Sequence, residues 1–236
     1  MEIDIGHFSC PGRNGGNQDV VLPPLFEGGY VWAAIADGVG GHVGGEVAAR
    51  TAIETVKQEA TQGSKAKLKS IINSAHKALV SKAETAASLT EMSTTLSIVR
   101  ASRKQAEVAH IGDSRIYHLR DNGLMTRTKD QTEVNELIEN RVLTKKEARR
   151  YPRRHVLLNS LSVREHSNVF ETSFSVCPGD RIILLTDGVY EVLLRSEIRD
   201  LSLKSATCNE LCAHIKSEIE DRGIVDDYSV CAFSIN

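Results

Sequence analysis

Two short apolar runs in this chain end in the same dipeptide, Asp-Gly. Residues 31–36 lead into Asp37, and residues 182–186 lead into Asp187, with a glycine after each aspartate. Runs of this length, rich in β-branched residues, are typical of buried strands. A carboxylate at the end of a buried strand is costly unless a positive charge meets it. If the strands lie side by side, their carboxylates converge, and the pattern predicts a site for a hard divalent cation.

In the rest of the chain, stretches whose apolar residues have the spacing of a strand alternate with stretches that have the spacing of a helix. Apolar residues at helical spacing predict two long amphipathic helices, over residues 44–62 and 65–87, and two later helices, over 193–200 and 206–222. Strands are predicted over residues 3–8, 19–22, 93–101, 107–111, 115–120, 169–176, 181–186 and 228–235. This order predicts an α+β fold in which helices cover two antiparallel sheets.

Residues 131–161 differ from the rest of the chain because they are polar and basic. Two short helical patterns lie around residues 134–138 and 145–150, and Pro152 ends the second one. This stretch is predicted to be an insertion between strands, outside the core. Its arginines, Arg149, Arg150, Arg153 and Arg154, form either a solvated face or a docking surface for an acidic or phosphorylated protein.

The amino-acid composition and the net charge of the chain argue against some classes of function. The 236 residues are 41% hydrophobic and 25% charged, with a formal net charge of -2, which fits a globular domain and not a basic nucleic-acid-binding surface. Neither a membrane-spanning run nor a signal-peptide pattern is visible, so we expect a cytoplasmic protein, without contact to membranes. Cys208 and Cys212 have helical spacing and could bind zinc, but the pattern favours buried reduced thiols.

Six aspartates lie at the ends of predicted elements. They are Asp19, Asp37, Asp113, Asp187, Asp226 and Asp227. Each could be a turn or helix-capping residue, but six at strand ends are harder to explain in that way. Oxygen ligands without a histidine cluster suit Mg²⁺ or Mn²⁺ better than zinc. Arg13, flanked by glycines, is either an exposed loop cation or a fork for a phosphate group.

A set of motifs extends over nearly the whole chain in a fixed order. They are Arg13 with residues 17–19, then residues 36–42, 92–95, 110–115, 128–131, 185–189 and 226–229. This set resembles the bacterial branch of the protein phosphatase 2C-type, metal-dependent Ser/Thr phosphatases. The resemblance implies a four-layer α-β-β-α sandwich, with a small flap at about residues 131–161 in a single catalytic domain spanning residues 1–236.

The resemblance also implies roles for the candidate residues. Asp37 would bridge two Mg²⁺ or Mn²⁺ ions, the Gly38 carbonyl would bind one, and Asp187 with Asp226 would bind the other. Asp113 would help to hold a third ion, and Asp19 would hold metal-bound waters. Arg13 would grip the substrate phosphate, so that Arg13 and Asp37 are the expected catalytic residues.

The implied activity is hydrolysis of phosphoserine and phosphothreonine on proteins by a metal-bridging hydroxide, without a phosphoenzyme. Expected partners are phosphoproteins of a bacterial Ser/Thr kinase, and the protein is expected to be a monomer. Two alternatives stay open: a regulatory phosphatase for a partner such as an anti-anti-sigma factor, and a catalytically silent binding module of the same fold.

Three features depart from the family pattern. The spacing from Arg13 to Asn17 is one residue longer than the usual pattern, which bears on the placement of Arg13. Asp227 stands where the family usually has asparagine, and it could compete as a ligand or add negative charge. Val39 fills the place of a histidine that is thought to act as general acid in eukaryotic members. His42 could assist in its stead, or it could be a surface residue at a helix start.

Overall fold

The computed structural model describes residues 2–13, 15–39, 43–63, 65–164 and 168–236. Within these ranges it contains seven α-helices and thirteen strands. The helices are α1 Val43–Thr61, α2 Leu68–Ala83, α3 Glu133–Glu139, α4 Lys145–Ala148, α5 Asp187–Tyr190, α6 Arg195–Lys204 and α7 Cys208–Arg222. The strands are β1 Ile3–Cys10, β2 Val20–Glu27, β3 Tyr30–Ala36, β4 Gly38–Val39, β5 Ser93–Thr94, β6 Leu96–Ala101, β7 Gln105–Ile111, β8 Arg115–Arg120, β9 Gly123–Thr126, β10 Leu161–Ser162, β11 Phe170–Ser175, β12 Arg181–Leu185 and β13 Tyr228–Ile235.

Most strands belong to two antiparallel five-stranded sheets. The first sheet has the order β1-β13-β12-β8-β9, and the second has the order β11-β7-β6-β3-β2. A third, small sheet with the order β10-β5-β4 lies next to the end of β3. The predicted pair of antiparallel sheets is therefore confirmed.

Both apolar runs form strands that are buried on both faces. Alternate side chains of each strand pack into two different cores. In β3, Val31, Ala33 and Ile35 belong to the core between the two large sheets. Their neighbours Trp32, Ala34 and Ala36 instead join a core that includes residues of α1 and α2. Successive side chains of a strand point to opposite faces, so a strand covered on both faces is apolar throughout.

The other sheet follows the same rule. In β12, Ile182 and Leu184 face the core between the sheets, whereas Ile183 and Leu185 pack in a core with residues of α6 and α7. Helices thus cover the outer face of each sheet, and the predicted four-layer α-β-β-α arrangement is confirmed.

Several boundaries differ from the predicted ones. The predicted strand over 93–101 is split at Thr95, because Thr94 pairs in the small sheet and Leu96 pairs with β7. The strand that begins near Asp19 extends to Glu27, with a register shift between Leu22 and Leu25. Pro23 and Pro24 lie at this shift, and proline cannot donate a ladder hydrogen bond.

Two helices are also placed differently. The helix predicted over 193–200 spans Arg195–Lys204, and the helix predicted over 65–87 spans only Leu68–Ala83. Asp187, predicted at a strand end, is instead the first residue of the short helix α5.

The polar insertion folds as two short capped helices. The Thr132 hydroxyl accepts a hydrogen bond from Asn135 at the start of α3, and Thr144 forms a capping box with Glu147 at the start of α4. We call residues 131–161 the flap. Its ends are tied together, because Glu133 N donates to Val156 O at 2.9 Å and Leu158 N donates to Gln131 O at 2.8 Å.

Candidate active site

The backbone of Asp37 is fixed by the loop that leads into β6. Its amide donates to Thr95 Oγ1 at 3.0 Å, and its carbonyl accepts from Thr95 N and Thr94 Oγ1, both at 2.8 Å. Thr95 Oγ1 in turn shares a hydrogen bond of 2.7 Å with Ser114 Oγ. These contacts join the end of β3 to the loop that carries Asp113.

The glycine after each of the two aspartates allows a close backbone approach. A Cβ atom at Gly188 would lie 2.1 Å from Asp227 O, and one at Gly38 would lie 2.5 Å from Gly45 C. Only glycine fits such contacts. Gly188 therefore brings the Asp187 turn against the segment Asp226-Asp227, although about 40 residues separate them in the chain.

One cavity of about 580 Å³ collects most of the predicted ligands. Its wall includes Asp37, Gly38, Asp113, Asp187 and Asp226. Gln18, Val39, Thr95 and Asp227 also line it, and the flap contributes His155, Val156, Leu157 and Ser160. The five residues expected to bind metal ions thus face one space.

The electrostatics of this cavity favour a cation. Burial, with repulsion from Asp19, Asp187 and Asp113, raises the pKa of Asp37 well above its usual range. Burial and the charge of Asp113 likewise raise the pKa of Asp187, and burial raises the pKa of Asp113 to about 6. Carboxylates that disfavour one another's ionised form are stabilised as ligands of a divalent ion.

The donor set fits Mg²⁺ or Mn²⁺ held largely through water. Among the described residues, no three His, Cys, Asp or Glu side chains form a ready-made metal cage. Mg²⁺ keeps several waters and is usually bound by one or two carboxylates, so the open cavity suits it better than a closed structural zinc site.

Asp19 lies behind the cavity and does not line it. It is 5% exposed, and its Oδ2 accepts a hydrogen bond of 2.8 Å from Thr186 Oγ1. Within the described ranges its Oδ1 is buried without a hydrogen-bond partner, and burial raises the pKa of Asp19 to about 7. A buried oxygen of this kind is suited to a water molecule on the metal side, which is the role expected for Asp19.

Arg13 lies beside the carboxylate cavity. The residue is exposed, and its Nη2 atom would be 3.3 Å from a Cβ atom at Gly223. It lines a neighbouring cavity of about 180 Å³ whose wall shares Gln18, Asp226 and Asp227 with the larger one. Arg13 therefore lies next to the carboxylates without lining the larger cavity itself.

Asp227 anchors the loop that carries Arg13. Its Oδ1 accepts from Gly12 N at 2.6 Å, and its Oδ2 accepts from Gln18 N at 2.7 Å. Both oxygens thus hold the two ends of residues 12–18, which answers the question that the sequence left open about Asp227. No local pattern predicts this contact, because more than 200 residues separate Asp227 from each partner.

The structure describes His110 but does not describe His42. His110 is fully buried, and its ring nitrogens form hydrogen bonds with Ser97 Oγ and Gly112 O, which indicates a structural role. His42 lies outside the described residues. Sequence reasoning missed His155 in the cavity wall, since a histidine in a basic, polar insertion carries no catalytic signal.

The thiols do not form part of the cavity. Cys208 and Cys212 are buried and free, as the favoured interpretation expected. Burial raises the pKa of each thiol, to about 12.

Comparison with known proteins decides the family. The sequence model of protein phosphatase 2C matches residues 9–219. The chain belongs to the protein phosphatase 2C family. Family members are metal-dependent Ser/Thr protein phosphatases, so membership supports a catalyst that acts on phosphoproteins over a silent binding module.

Individual members of the family are similar to this chain in sequence and in fold. The serine/threonine phosphatase stp of Listeria welshimeri is 31% identical over 179 residues, which cover 72% of this chain and 71% of that protein. A crystal structure of the Mycobacterium tuberculosis serine/threonine phosphatase PstP/Ppp gives a TM-score of 0.90 at 25% identity, covering 100% of both chains. The catalytic domain of PstP in complex with two manganese ions gives a TM-score of 0.85 at 26% identity, covering 98% of this chain and 97% of that one.

Helices long and apolar enough to cross a membrane are absent from the described part of the chain.

Proposed function

We propose that this phosphatase removes phosphate from phosphoserine and phosphothreonine in proteins and that the carboxylate cavity is its active site. The observation that carries the proposal is the meeting of Asp37, Asp113, Asp187 and Asp226 in one cavity. These aspartates come from four separate places in the chain, and their mutual repulsion has no structural benefit unless cations offset it.

The proposed residue roles rest on the family resemblance, and the shared lining of the cavity supports them. Asp37 and the Gly38 carbonyl, with Asp187 and Asp226, are the proposed ligands of two Mg²⁺ or Mn²⁺ ions. Asp113, on the loop joined to Asp37 through Thr95 and Ser114, is the proposed ligand of a third. A divalent pair lowers the pKa of water from about 16 toward 7 and so supplies a nucleophile at neutral pH.

The chain's own groups position the substrate. Arg13 offers a planar fork of N–H donors for the phosphate oxygens, and Asp227 holds the ends of its loop through Gly12 and Gln18. Asp19 is buried against Thr186, at the base of the Asp187 turn, and is proposed to orient water. Cysteine is absent from the described wall of the cavity, which supports direct attack of water on phosphorus and not a thiol nucleophile.

The decisive experiment is a metal-dependent assay with matched variants. The protein should hydrolyse an aryl phosphate and a phosphothreonine peptide with Mn²⁺, and chelation should abolish both activities. Asp187→Asn should lose at least about 10²-fold in kcat on both substrates, since a ligand of the ion pair is removed. Asp221→Asn changes the net charge equally at an exposed site on α7 and should retain activity.

Two results would reject the proposal. One is wild-type protein that is inactive with Mn²⁺ or Mg²⁺, and the other is Asp187→Asn with unchanged activity. Covalent label on the enzyme in a quenched single turnover would instead reject direct hydrolysis.

The finer expectations rest on the same proposal. A bacterial Ser/Thr kinase is the proposed source of the substrates, because stp and PstP are themselves named serine/threonine phosphatases of bacteria. A panel of kinase-phosphorylated proteins would separate a broad phosphatase from one dedicated to a single regulatory partner. A monomeric state and a cytoplasmic location stay predictions.

A further inference from the structure

The flap forms one wall of the carboxylate cavity. Its residues His155, Val156 and Leu157 line the same space as Asp37 and Asp187. Among the described residues of that wall, His155 is the only imidazole. It is not an expected metal ligand, and imidazole is the side chain that most often serves as a general acid in enzymes.

A carboxylate outside the metal set orients His155. The Nδ1 atom of His155 lies 3.1 Å from Glu191 Oε1, and Arg154 Nε lies 4.0 Å from the same oxygen. Glu191 follows α5, the helix that begins with Asp187. The proximity of this carboxylate favours a ring orientation in which Nδ1 faces Glu191 and Nε2 is the nitrogen left for proton transfer.

Backbone hydrogen bonds tie the flap to the loop that carries Asp113. Gln131 N donates to Gly112 O at 2.8 Å, and Leu158 N donates to Gln131 O at 2.8 Å. Gly112 N in turn donates a hydrogen bond of 3.0 Å to Gln131 Oε1. Through these bonds and Glu191, His155 is connected on both sides to segments that carry candidate ligands.

We propose that His155 is the general acid for the leaving group, oriented by Glu191. The inference rests on the proposed phosphatase function. As water forms the new bond to phosphorus and gives up one proton to solvent, the bond from phosphorus to the serine or threonine oxygen breaks. Its electron pair goes to that oxygen, which takes a proton from His155 Nε2, and solvent then reprotonates the imidazole.

The chemistry of the substrate creates the need for this proton. A serine or threonine alkoxide is a strong base and a poor leaving group, whereas nitrophenolate leaves readily without a proton. Metal binding requires the ionised form of Asp37, Asp113, Asp187 and Asp226, so these proposed ligands have no proton to give. Both oxygens of Asp227 accept backbone hydrogen bonds, from Gly12 N and Gln18 N. Val39 is apolar and cannot take this role.

The test compares two aryl phosphates that differ only in their leaving group, for which protein docking does not enter, and adds a phosphoserine peptide. With Mn²⁺, His155→Gln should lose about 10²-fold in kcat on phenyl phosphate and on a phosphoserine peptide. On p-nitrophenyl phosphate its kcat should stay within about twofold, because that leaving group needs no general acid. Added imidazole should restore activity to His155→Ala on phenyl phosphate. His7→Gln, at an exposed histidine on β1, is the matched control.

Several outcomes would overturn the inference. An equal loss on all three substrates would give His155 a structural role, and no loss on any would give it none. A rise in KM for the peptide alone, with unchanged kcat, would make it a docking residue. Wild-type protein that hydrolyses none of the substrates would reject the proposed function itself, and this inference with it.

Discussion

Thr186 Oγ1 donates a hydrogen bond of 2.8 Å to Asp19 Oδ2, across 167 positions of the chain. The same hydroxyl accepts from Ser229 N at 3.0 Å. One side chain therefore joins the start of the chain, the Asp187 turn and the last strand beneath the carboxylate cavity. The three segments that carry Asp19, Asp187 and Asp226 are held in register by it.

Removing the Thr186 hydroxyl should lower both the free energy of unfolding and the affinity for Mn²⁺. Thr186→Val keeps the shape of the side chain but leaves Asp19 Oδ2 and the buried amide of Ser229 without their partner. We expect a loss of about 2–3 kcal/mol in the free energy of unfolding, measured in urea, together with weaker Mn²⁺ binding by calorimetry. Thr186→Ser keeps the hydroxyl and should behave nearly as wild type. Equal stability of the valine and serine variants would contradict the role.

The metal-free protein should gain stability when one cavity charge is removed. Asp37 is buried and repelled by Asp19, Asp187 and Asp113, so Asp37→Asn should raise the apo free energy of unfolding by about 1 kcal/mol. Mn²⁺ at a hundred times its Kd should stabilise wild type by about 2.7 kcal/mol, and this response should be lost in the variant. Thermal unfolding with and without Mn²⁺ measures both effects. An undiminished Mn²⁺ response in Asp37→Asn would exclude Asp37 as a principal ligand.

The loop anchor should separate substrate binding from metal binding. Asp227→Asn leaves one oxygen to accept from Gly12 N and Gln18 N, so one charge-assisted hydrogen bond is lost. We expect KM for a phosphopeptide to rise about tenfold, with Mn²⁺ affinity within about twofold of wild type. Steady-state kinetics and Mn²⁺ titration provide the two measurements.

The neighbouring aspartate is the control for this prediction. Asp226→Asn should show the opposite pattern, with weaker Mn²⁺ binding and a lower kcat at fixed metal. If Asp227→Asn were to lose metal affinity as strongly as Asp226→Asn, Asp227 would be a ligand and not an anchor.

Buried His110 should make the fold less stable in mild acid. Burial lowers its pKa from 6.5 to about 4, so on acidification the unfolded chain takes up the proton first. Because the unfolded state then binds more protons, the free energy of unfolding falls as the pH drops from about 6.5 to 4. At pH 7, His110→Gln is expected to have a lower free energy of unfolding than wild type. Between pH 7 and pH 5, however, the free energy of unfolding of the variant should fall by about 2 kcal/mol less than that of wild type. Urea denaturation at both pH values tests this, and parallel losses would assign the acid sensitivity to other groups.

How much of the site could be foreseen depends on how local its signals are. Asp37 and Asp187 each end an apolar run, so the two strands follow from neighbouring residues. The expectation that these strands lie side by side was wrong, because β3 and β12 belong to different sheets. The carboxylates line one cavity because the two sheets pack face to face. The split at Thr95 could not be foreseen in this way, because it depends on which partner strand each side of Thr95 meets. The start of α5 at Asp187 was missed because the short helix lies directly after a strand pattern.

The sequence by itself determined the family, the four-layer arrangement and the candidate metal ligands. It could do so because the ordered motifs that carry the family resemblance lie in short local stretches of chain, and the resemblance implies the four-layer arrangement and the ligand roles. Only the tertiary structure decided that Asp227 anchors the Arg13 loop, that Arg13 lies in a neighbouring cavity, and that His155 enters the cavity wall beside Glu191. Each of these depends on contacts between distant segments, and such contacts form only when the whole fold brings the segments together.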